Sequence, residues 1–349
     1  MKIKLGIGIA TALIIGLVFS YGTITGVKTL ATYLTDEARD SVIERGGPSS
    51  PWKQALIDPE VEIEVEEEAI IPRGVVFDRE DSGSINAGND PQFYKFAEAS
   101  VFPRLTSKAY VIADLESGQI IASKAKNAIY PIASLSKLMT AVVSLETQNQ
   151  EKETTVSYKA TQTYGRQGGL SSGQTITLSD LMYPLLLESS NDAAEVFAEY
   201  SGRNAFLDNM TGKAKSIGME FTEFSDPSGL SQYNISTAKE LLTLVEYVNR
   251  EHPEIFEITK LKNYENEDDV WYSNSRFRND KNYLGGKNGY TDEAIHTLIS
   301  IFDLPLADSS AEQEGDENRS IVIILLQGQK TEDDTRDAML WLLNNVYYR

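Results

Sequence analysis

The chain has 349 residues, enough for one large domain or two modest ones with a sizeable core. Its 52 acidic residues against 32 basic ones give a formal net charge of −20, which argues against nucleic acid as a partner, because phosphate binding needs a basic face. The absence of cysteine removes thiol catalysis, disulfides and thiolate metal sites, and with only two histidines, His252 and His296, a histidine-rich metal site is not expected.

The chain opens with Met1-Lys2-Ile3-Lys4 and an uncharged, largely apolar run from Leu5 to Val27 that ends at Lys28. That run matches the ~20 residues needed to cross a bilayer. Lys2 and Lys4 would stay in the cytoplasm, so everything downstream would be exported. No small-x-small cleavage site follows, so residues 1–28 are expected to be a single-pass plasma-membrane anchor rather than a cleaved signal that releases a secreted protein. Residues 29–99 lose periodicity and gain acid, with EVEIEVEEE at Glu60 to Glu68, and read as a stalk or linker, although Val61, Ile63 and Val65 alternate as an edge strand would. Asp78 to Asn89 lacks the ligands and closing glutamate of a calcium loop and reads as part of that linker.

From Tyr110 to Ala122, two β runs around Val111-Ile112 and Ile120-Ile121 flank Glu116-Ser117-Gly118, a hairpin signal. Pro131 to Thr140 then opens a helix with Leu135, Leu138, Val142 and Leu145 on its buried stripe. Near its start Ser134 and Lys137, three residues apart, share a face. An uncharged lysine amine within hydrogen-bond reach of a serine can take its proton, the Ser-Lys alternative to a Ser-His-Asp triad. Alone the pattern is common in helices, so its weight comes from two later clusters. Between them and the helix lies Gly169-Leu170-Ser171-Ser172-Gly173, a literal G-x-S-x-G. A nucleophile elbow needs a buried strand before the serine and a helix after it, and neither is legible here.

The first later cluster is Glu188-Ser189-Ser190-Asn191-Asp192, between apolar Leu185 to Leu187 and a helical stretch from Ala193 to Tyr200. Helices follow at Ala205 to Ile217 and Thr237 to Val248, with a turn at Asp226-Pro227-Ser228-Gly229 whose expected role is structural, its polar residues reaching the cleft being the alternative. The second is Gly285-Gly286-Lys287-Asn288-Gly289-Tyr290-Thr291, expected to lead into a strand at His296 to Phe302, its glycines letting a substrate backbone lie close. An acidic loop at Ala307 to Asn318, a strand at Ile321 to Leu326 and a helix from Asp333 to Tyr347 complete the chain. These elements predict an α+β fold: an antiparallel sheet from the first hairpin and the last two strands, a second lobe of mid-chain helices, and a cleft between them.

In order and spacing, Ser134-x-x-Lys137, Ser189-x-Asn191 and Lys287-Asn288-Gly289 resemble the three motifs of penicillin-binding proteins and serine β-lactamases. Within that superfamily the chain is most similar to the low-molecular-weight D-alanyl-D-alanine carboxypeptidases, over Leu105 to the C-terminus, with further likeness at Ala109 to Ile121, Asp226 to Leu230 and Gly285 to Thr291. The resemblance implies a β-lactamase/transpeptidase-like fold, in which the antiparallel sheet is flanked by helices and the second lobe is mainly helical, with residues 100–349 as a serine DD-peptidase domain. It implies Ser134 as nucleophile and Lys137 as general base, with a pKa lowered by burial and by Lys287. Ser189 would relay the proton to the leaving amine, and Asn191 would hold Lys137 and the substrate amide. Lys287 and Asn288 would bind the terminal carboxylate, and the Ser134 and Tyr290 N–H groups, with Gly289 between the strand residues, would form the oxyanion hole. No cofactor or metal is implied. The substrate would be a peptidoglycan stem peptide and β-lactams would be covalent inhibitors, with no accessory β domain expected. Two departures bear on substrate preference: Asn288 stands where the family has Thr or Ser, and Ile295 where it has Gly. The alternatives are a DD-endopeptidase cutting crosslinks, a catalytically silent wall-binding relative, and a β-lactamase, for which no Glu-x-x-Leu-Asn is found between the second and third motifs.

Overall fold

Long runs of Val, Ile and Leu build the centre of the molecule, because strands buried on both faces need apolar residues without alternation. The structure, a computed structural model, describes residues 84–85, 94–98, 100–165, 168–306 and 318–348, all in one compact unit. In chain order, β1 (Ser84–Ile85), β2 (Tyr94–Phe96), β3 (Ala109–Asp114), β4 (Ile120–Lys124) and β5 (Ile129–Pro131) lead into α1 (Ser136–Thr147). Then come β6 (Glu153–Thr155), β7 (Thr175–Thr177), α2 (Leu178–Tyr183), α3 (Asn191–Ser201), α4 (Arg203–Ser216), β8 (Ile235–Thr237), α5 (Ala238–Glu251) and α6 (Glu254–Lys260). The last part holds β9 (Asn263–Glu265), β10 (Val270–Tyr272), β11 (Tyr283–Thr291), β12 (Ile295–Leu304), β13 (Arg319–Gly328), α7 (Thr331–Asn345) and β14 (Val346–Tyr348).

Six strands form one antiparallel sheet in the order β1-β4-β3-β13-β12-β11, which leaves β11 at an edge. On one face Val111, Ile299, Ile301, Val322 and Ile324 share a core with residues of α1, α3 and α5. On the other Leu298, Phe302, Ile323 and Leu325 pack with Trp341 and Leu342 of α7. The expected sheet and helical lobe are both present. Helix α1 runs through the middle of that lobe, every residue from Ser136 to Ser144 being buried. Helices α2 and α5 are capped by Thr177 and Thr237, whose hydroxyls accept the N–H of Asp180 and Glu240.

Three boundaries differ from the sequence expectation. The glycine cluster at 285–291 is itself most of strand β11 rather than a lead-in to a strand. The final helix stops at Asn345, and Val346–Tyr348 pair with Tyr94–Phe96, which the sequence assigned to the linker; the folded domain therefore begins before residue 100. Strands of three residues whose partner lies at the far end of the chain carry no periodicity to read. Tyr94 is fully buried and donates its hydroxyl to Asp114 Oδ2 at 2.9 Å. Burial opposes the charge on Asp114, but the Arg319 guanidinium, the Ser117 hydroxyl and the Glu116 N–H hold its carboxyl below the ordinary carboxylate value. The expected membrane anchor, the EVEIEVEEE stretch and nearly all of the acidic loop lie outside the described residues. Among the described residues no helix is long and apolar enough to cross a membrane. The G-x-S-x-G segment forms turns with Ser171 exposed, so no nucleophile elbow is built there.

Candidate active site

A 3₁₀ turn at Ala133–Leu135 precedes α1 and carries Ser134, which is half-buried. One turn later Lys137 is fully buried, and its Nζ lies 3.0 Å from Ser134 Oγ, 2.8 Å from Asn191 Oδ1 and 2.6 Å from the Ser228 carbonyl. A neutral amine has two hydrogens and one lone pair. The Asn191 and Ser228 oxygens can only accept, so when they take both hydrogens the lone pair is directed at the Ser134 hydroxyl.

The turn at 226–229, whose expected role was mainly structural, supplies the Ser228 carbonyl to this lysine. Asp226 builds it: Oδ1 accepts the N–H groups of Ser228, Gly229 and Leu230, and Oδ2 that of Ser231. Gly229, at φ +87°, passes so near the Ser134 turn that a Cβ there would lie 1.9 Å from the Ala133 carbonyl oxygen. Asp-Pro-Ser-Gly is legible as a turn, but which carbonyl meets which amine depends on packing distant in sequence.

The apolar run before Ser189 forms a π-helical turn, Pro184–Glu188, that ends with Ser189 at φ 62°. Left-handed backbone in a residue with a Cβ stores strain, and π turns recur at functional sites. Ser190 caps α3 by accepting the Ala193 N–H at 3.0 Å, which fixes the next turn. Ser189 Oγ thereby meets Lys287 Nζ at 2.8 Å, while Asn191 receives Lys137 on Oδ1 and donates Nδ2 to the Tyr164 carbonyl at 2.7 Å. Both ends of the Asn191 amide are therefore oriented by the protein. Asp192 follows, fully buried, with no hydrogen-bond partner for either carboxylate oxygen among the described residues, and burial pushes its carboxyl up to about 6.

Strand β11 forms the facing wall. Gly286 donates its N–H to Thr259 Oγ1 at 2.9 Å, off the open edge of the sheet. The register with β12 is unbroken from Gly286↔Ser300 to Thr291↔Ile295, so the N–H groups of Asn288 and Tyr290 point off the same edge. Alternation also puts the Lys287 and Asn288 side chains on opposite faces; both border the cleft. Lys287 is 3% exposed and donates to Ser189 and to its neighbour's carbonyl, Asn288 O, at 2.9 Å. A Cβ on Gly289 would sit 2.7 Å from Ser134 N and 3.0 Å from Ala133 Cβ, so a glycine is what lets the strand lie against the nucleophile turn. Gly285 and Gly286 likewise make room for Phe256, Thr259 and Ile299. The glycines admit neighbouring chain, where the sequence reading had them admit substrate.

The walls enclose a cleft of about 790 Å³ bordered by Ser134, Ser189, Asn191, Lys287, Asn288 and Tyr290, with Lys137 beneath Ser134. All eight residues singled out in the sequence thus meet at one place. Tyr290 does so through its backbone: its ring is 57% exposed and its hydroxyl donates to Asp292 Oδ1. Thr259 and Tyr164 belong to the site without a sequence signal, and the Ser228 carbonyl reaches it from a turn the sequence marks. Among the described residues no group of three or more His, Asp or Glu residues could hold a metal ion.

The sequence model of a family described as D-alanyl-D-alanine carboxypeptidase matches residues 96–302. A D-alanyl-D-alanine endopeptidase of Escherichia coli K12 is 32% identical over 214 residues, 56% of this chain and 67% of that protein. A D-alanyl-D-alanine endopeptidase of Haemophilus influenzae is 36% identical over 150 residues, 40% of this chain and 50% of that protein. The chain spans half to about two thirds of the length of the curated endopeptidases it matches. Among solved structures, a D-alanyl-D-alanine carboxypeptidase from Mycobacterium tuberculosis superposes with a TM-score of 0.62 at 26% identity, over 71% of this chain and 94% of that one. Penicillin-binding protein D2 from Listeria monocytogenes, solved in a cefotaxime-bound form, gives 0.60 at 26% identity, over 69% of this chain and 99% of that one.

Proposed function

This chain belongs to the D-alanyl-D-alanine carboxypeptidase family, and we propose that it is a serine DD-carboxypeptidase that removes the terminal D-alanine from peptidoglycan stem peptides through a Ser134 acyl-enzyme. The observation that carries this reading is the Lys137 amine, held by two obligate acceptors with its third contact on Ser134 Oγ. Ser134 Oγ attacks the carbonyl between the two D-alanines as its proton passes to Lys137. The oxyanion is received by the Ser134 and Tyr290 N–H groups, the second of which points off the sheet edge. Collapse breaks the C–N bond, and Ser189, bonded to Lys287, delivers the proton to the leaving amine. Water then hydrolyses the ester and regenerates the serine. Lys287 supplies positive charge near the terminal carboxylate and Asn288 a donor amide at the cleft edge, in place of the family's hydroxyl. Asn191 orients Lys137, and Gly289 keeps the two oxyanion donors close. β-Lactams, which present a strained amide in place of the D-Ala-D-Ala bond, would acylate the same serine. The substrate lies outside the cytoplasm, so the catalytic domain would work on that side of the membrane.

Release of D-alanine from a stem pentapeptide, measured for the full chain beside Ser134→Ala, tests the reading. A fall of ~10⁴-fold or more in kcat is expected; equal turnover by the two proteins overturns it. A second reading, cleavage of crosslinks by the same residues, is favoured by the two relatives at 32% and 36% identity, both endopeptidases. A higher kcat/KM on a crosslinked muropeptide dimer than on the pentapeptide would select it.

A further inference from the structure

Asn191 aims the lysine of the proposed chemistry, and the chain that aims Asn191 is itself held from outside the cleft. The Tyr164 carbonyl accepts Asn191 Nδ2 at 2.7 Å, and Gly165 lies so close that a Cβ on it would be 2.8 Å from that nitrogen. Gly168 lies against Ser190, the residue between Ser189 and Asn191: a Cβ on it would be 2.6 Å from Ser190 Cβ and 3.1 Å from Pro184 Cβ. It is buried at φ +67°, a backbone that suits glycine. Its carbonyl accepts the indole N–H of Trp271 at 3.0 Å.

Trp271 lies in β10, is 2% exposed and does not border the cleft. Its ring is within 8° of parallel to those of Tyr183 and Tyr264, and Tyr183 stands directly before the π-helical turn. The chain beside Trp271 is tied to the same turn, the Tyr272 N–H to Glu188 Oε1 at 3.1 Å and the Asn274 N–H to the Leu187 carbonyl at 3.0 Å. A buried indole N–H needs an acceptor. The acceptor it takes here is the carbonyl of the glycine packed on Ser190, so the direction of the indole bears on the residues that flank that serine.

We propose that Trp271 is a positioning residue: its N–H holds Gly168 against Ser190 and so keeps the Asn191 amide turned with Oδ1 toward Lys137. With the amide reversed, Nδ2 would donate to the neutral Lys137 amine and occupy the lone pair that serves Ser134, while Oδ1 would face the Tyr164 carbonyl. This rests on the DD-peptidase reading above and adds to it a residue that touches no reacting atom.

The test removes the indole N–H from the full chain in two ways: by Trp271→Phe, and by β-(3-benzothienyl)alanine at position 271, in which sulfur stands where the N–H was. Both changes should lower kcat for D-alanine release about tenfold and leave KM within about twofold, because Lys287 and Asn288 are untouched. In an Asn191→Ala background either change should alter kcat by less than about twofold, since the amide to be positioned is gone. Independently of turnover, the Asn191 side-chain amide, observed by NMR with isotopically labelled asparagine and assigned by its loss in Asn191→Ala, should exchange with solvent about tenfold faster once the N–H is removed. Equal losses of kcat with and without Asn191, or a benzothienyl protein that keeps full kcat or a protected Asn191 amide, overturns the positioning role. If the unmutated chain releases no D-alanine, the carboxypeptidase reading falls and amide exchange decides by itself: faster exchange upholds the role of Trp271, and unchanged exchange overturns it.

Discussion

The start of α1 and the edge of β11 each bring a buried lysine to a serine, Lys137 to Ser134 at 3.0 Å and Lys287 to Ser189 at 2.8 Å, yet they work through different parts of the chain. In the proposed mechanism the chemistry at α1 is carried by side chains: one helical turn separates hydroxyl from amine, and the amine is aimed by an amide and a carbonyl. At β11 it is carried by the backbone, through N–H groups that leave the sheet edge and a glycine that allows contact with the nucleophile turn. The helix end therefore depends on residue identity. The strand end depends on what is missing at 289, which leaves the Asn288 side chain less constrained.

Substitutions at the two ends should separate these dependences. Lys137→Met, which keeps the buried stem and removes the base, is expected to lower kcat/KM by ~10³-fold or more in D-alanine release. A loss below tenfold in protein with unchanged circular dichroism would refute the helix end as the proton acceptor. Gly289→Ala drives a methyl to within 2.7 Å of Ser134 N and should cost ~10²-fold by spreading the oxyanion donors, visible also as slower acylation by a fluorescent penicillin. Asn288→Thr on the same strand should change kcat/KM less than tenfold; a larger change would make the side chain, rather than the backbone, the working part of β11.

Asp192 sharpens the contrast from the far side of the site, because it is a charge the fold holds at a loss. Burial raises its folded carboxyl to about 6, above the ordinary 3.8, so the folded state binds the extra proton and stability declines as pH rises through that interval, remaining lowered above it. Asp192→Asn should raise unfolding free energy by about 2 to 3 kcal/mol at pH 8 and by about half that at pH 5. Urea midpoints at the two pH values measure this, and an equal effect at both would refute the titration. The smallest effect belongs to Ile295, a β-branched residue at φ 54° that opens β12 directly after the turn from β11. Ile295→Gly should gain about 1 kcal/mol by relieving the left-handed backbone, read as a rise in melting temperature.

The helical half of the site was legible because its information is local. Ser134 and Lys137 lie within one turn, so the spacing of the letters is already the geometry, and Leu135, Leu138 and Val142 mark which face is buried. The strand half was legible only as a string. Lys287-Asn288-Gly289 identifies the segment, but the space beside its glycines, which the sequence suggests is open to substrate, is filled by Phe256, Thr259, Ile299 and Ala133. The Asp226 turn was recognised and its task was not, since a carbonyl has no letter of its own. The pairing of Tyr94–Phe96 with Val346–Tyr348 was missed for a related reason: two short strands far apart in the chain have meaning only beside each other.

By itself the sequence determined the side-chain chemistry: a serine and lysine at helical spacing, a Ser-x-Asn loop between two helices, a glycine-flanked lysine, and a sheet-and-helix fold to carry them. Tertiary structure alone decided how that chemistry is aimed. It brought the Ser228 carbonyl and Asn191 onto one amine, turned the Tyr290 N–H off the sheet edge, and buried the Asp192 carboxylate. The physical reason is that side-chain identity and short-range spacing are properties of the chain, whereas desolvation and the direction of a backbone N–H or C=O arise only when distant segments pack against one another.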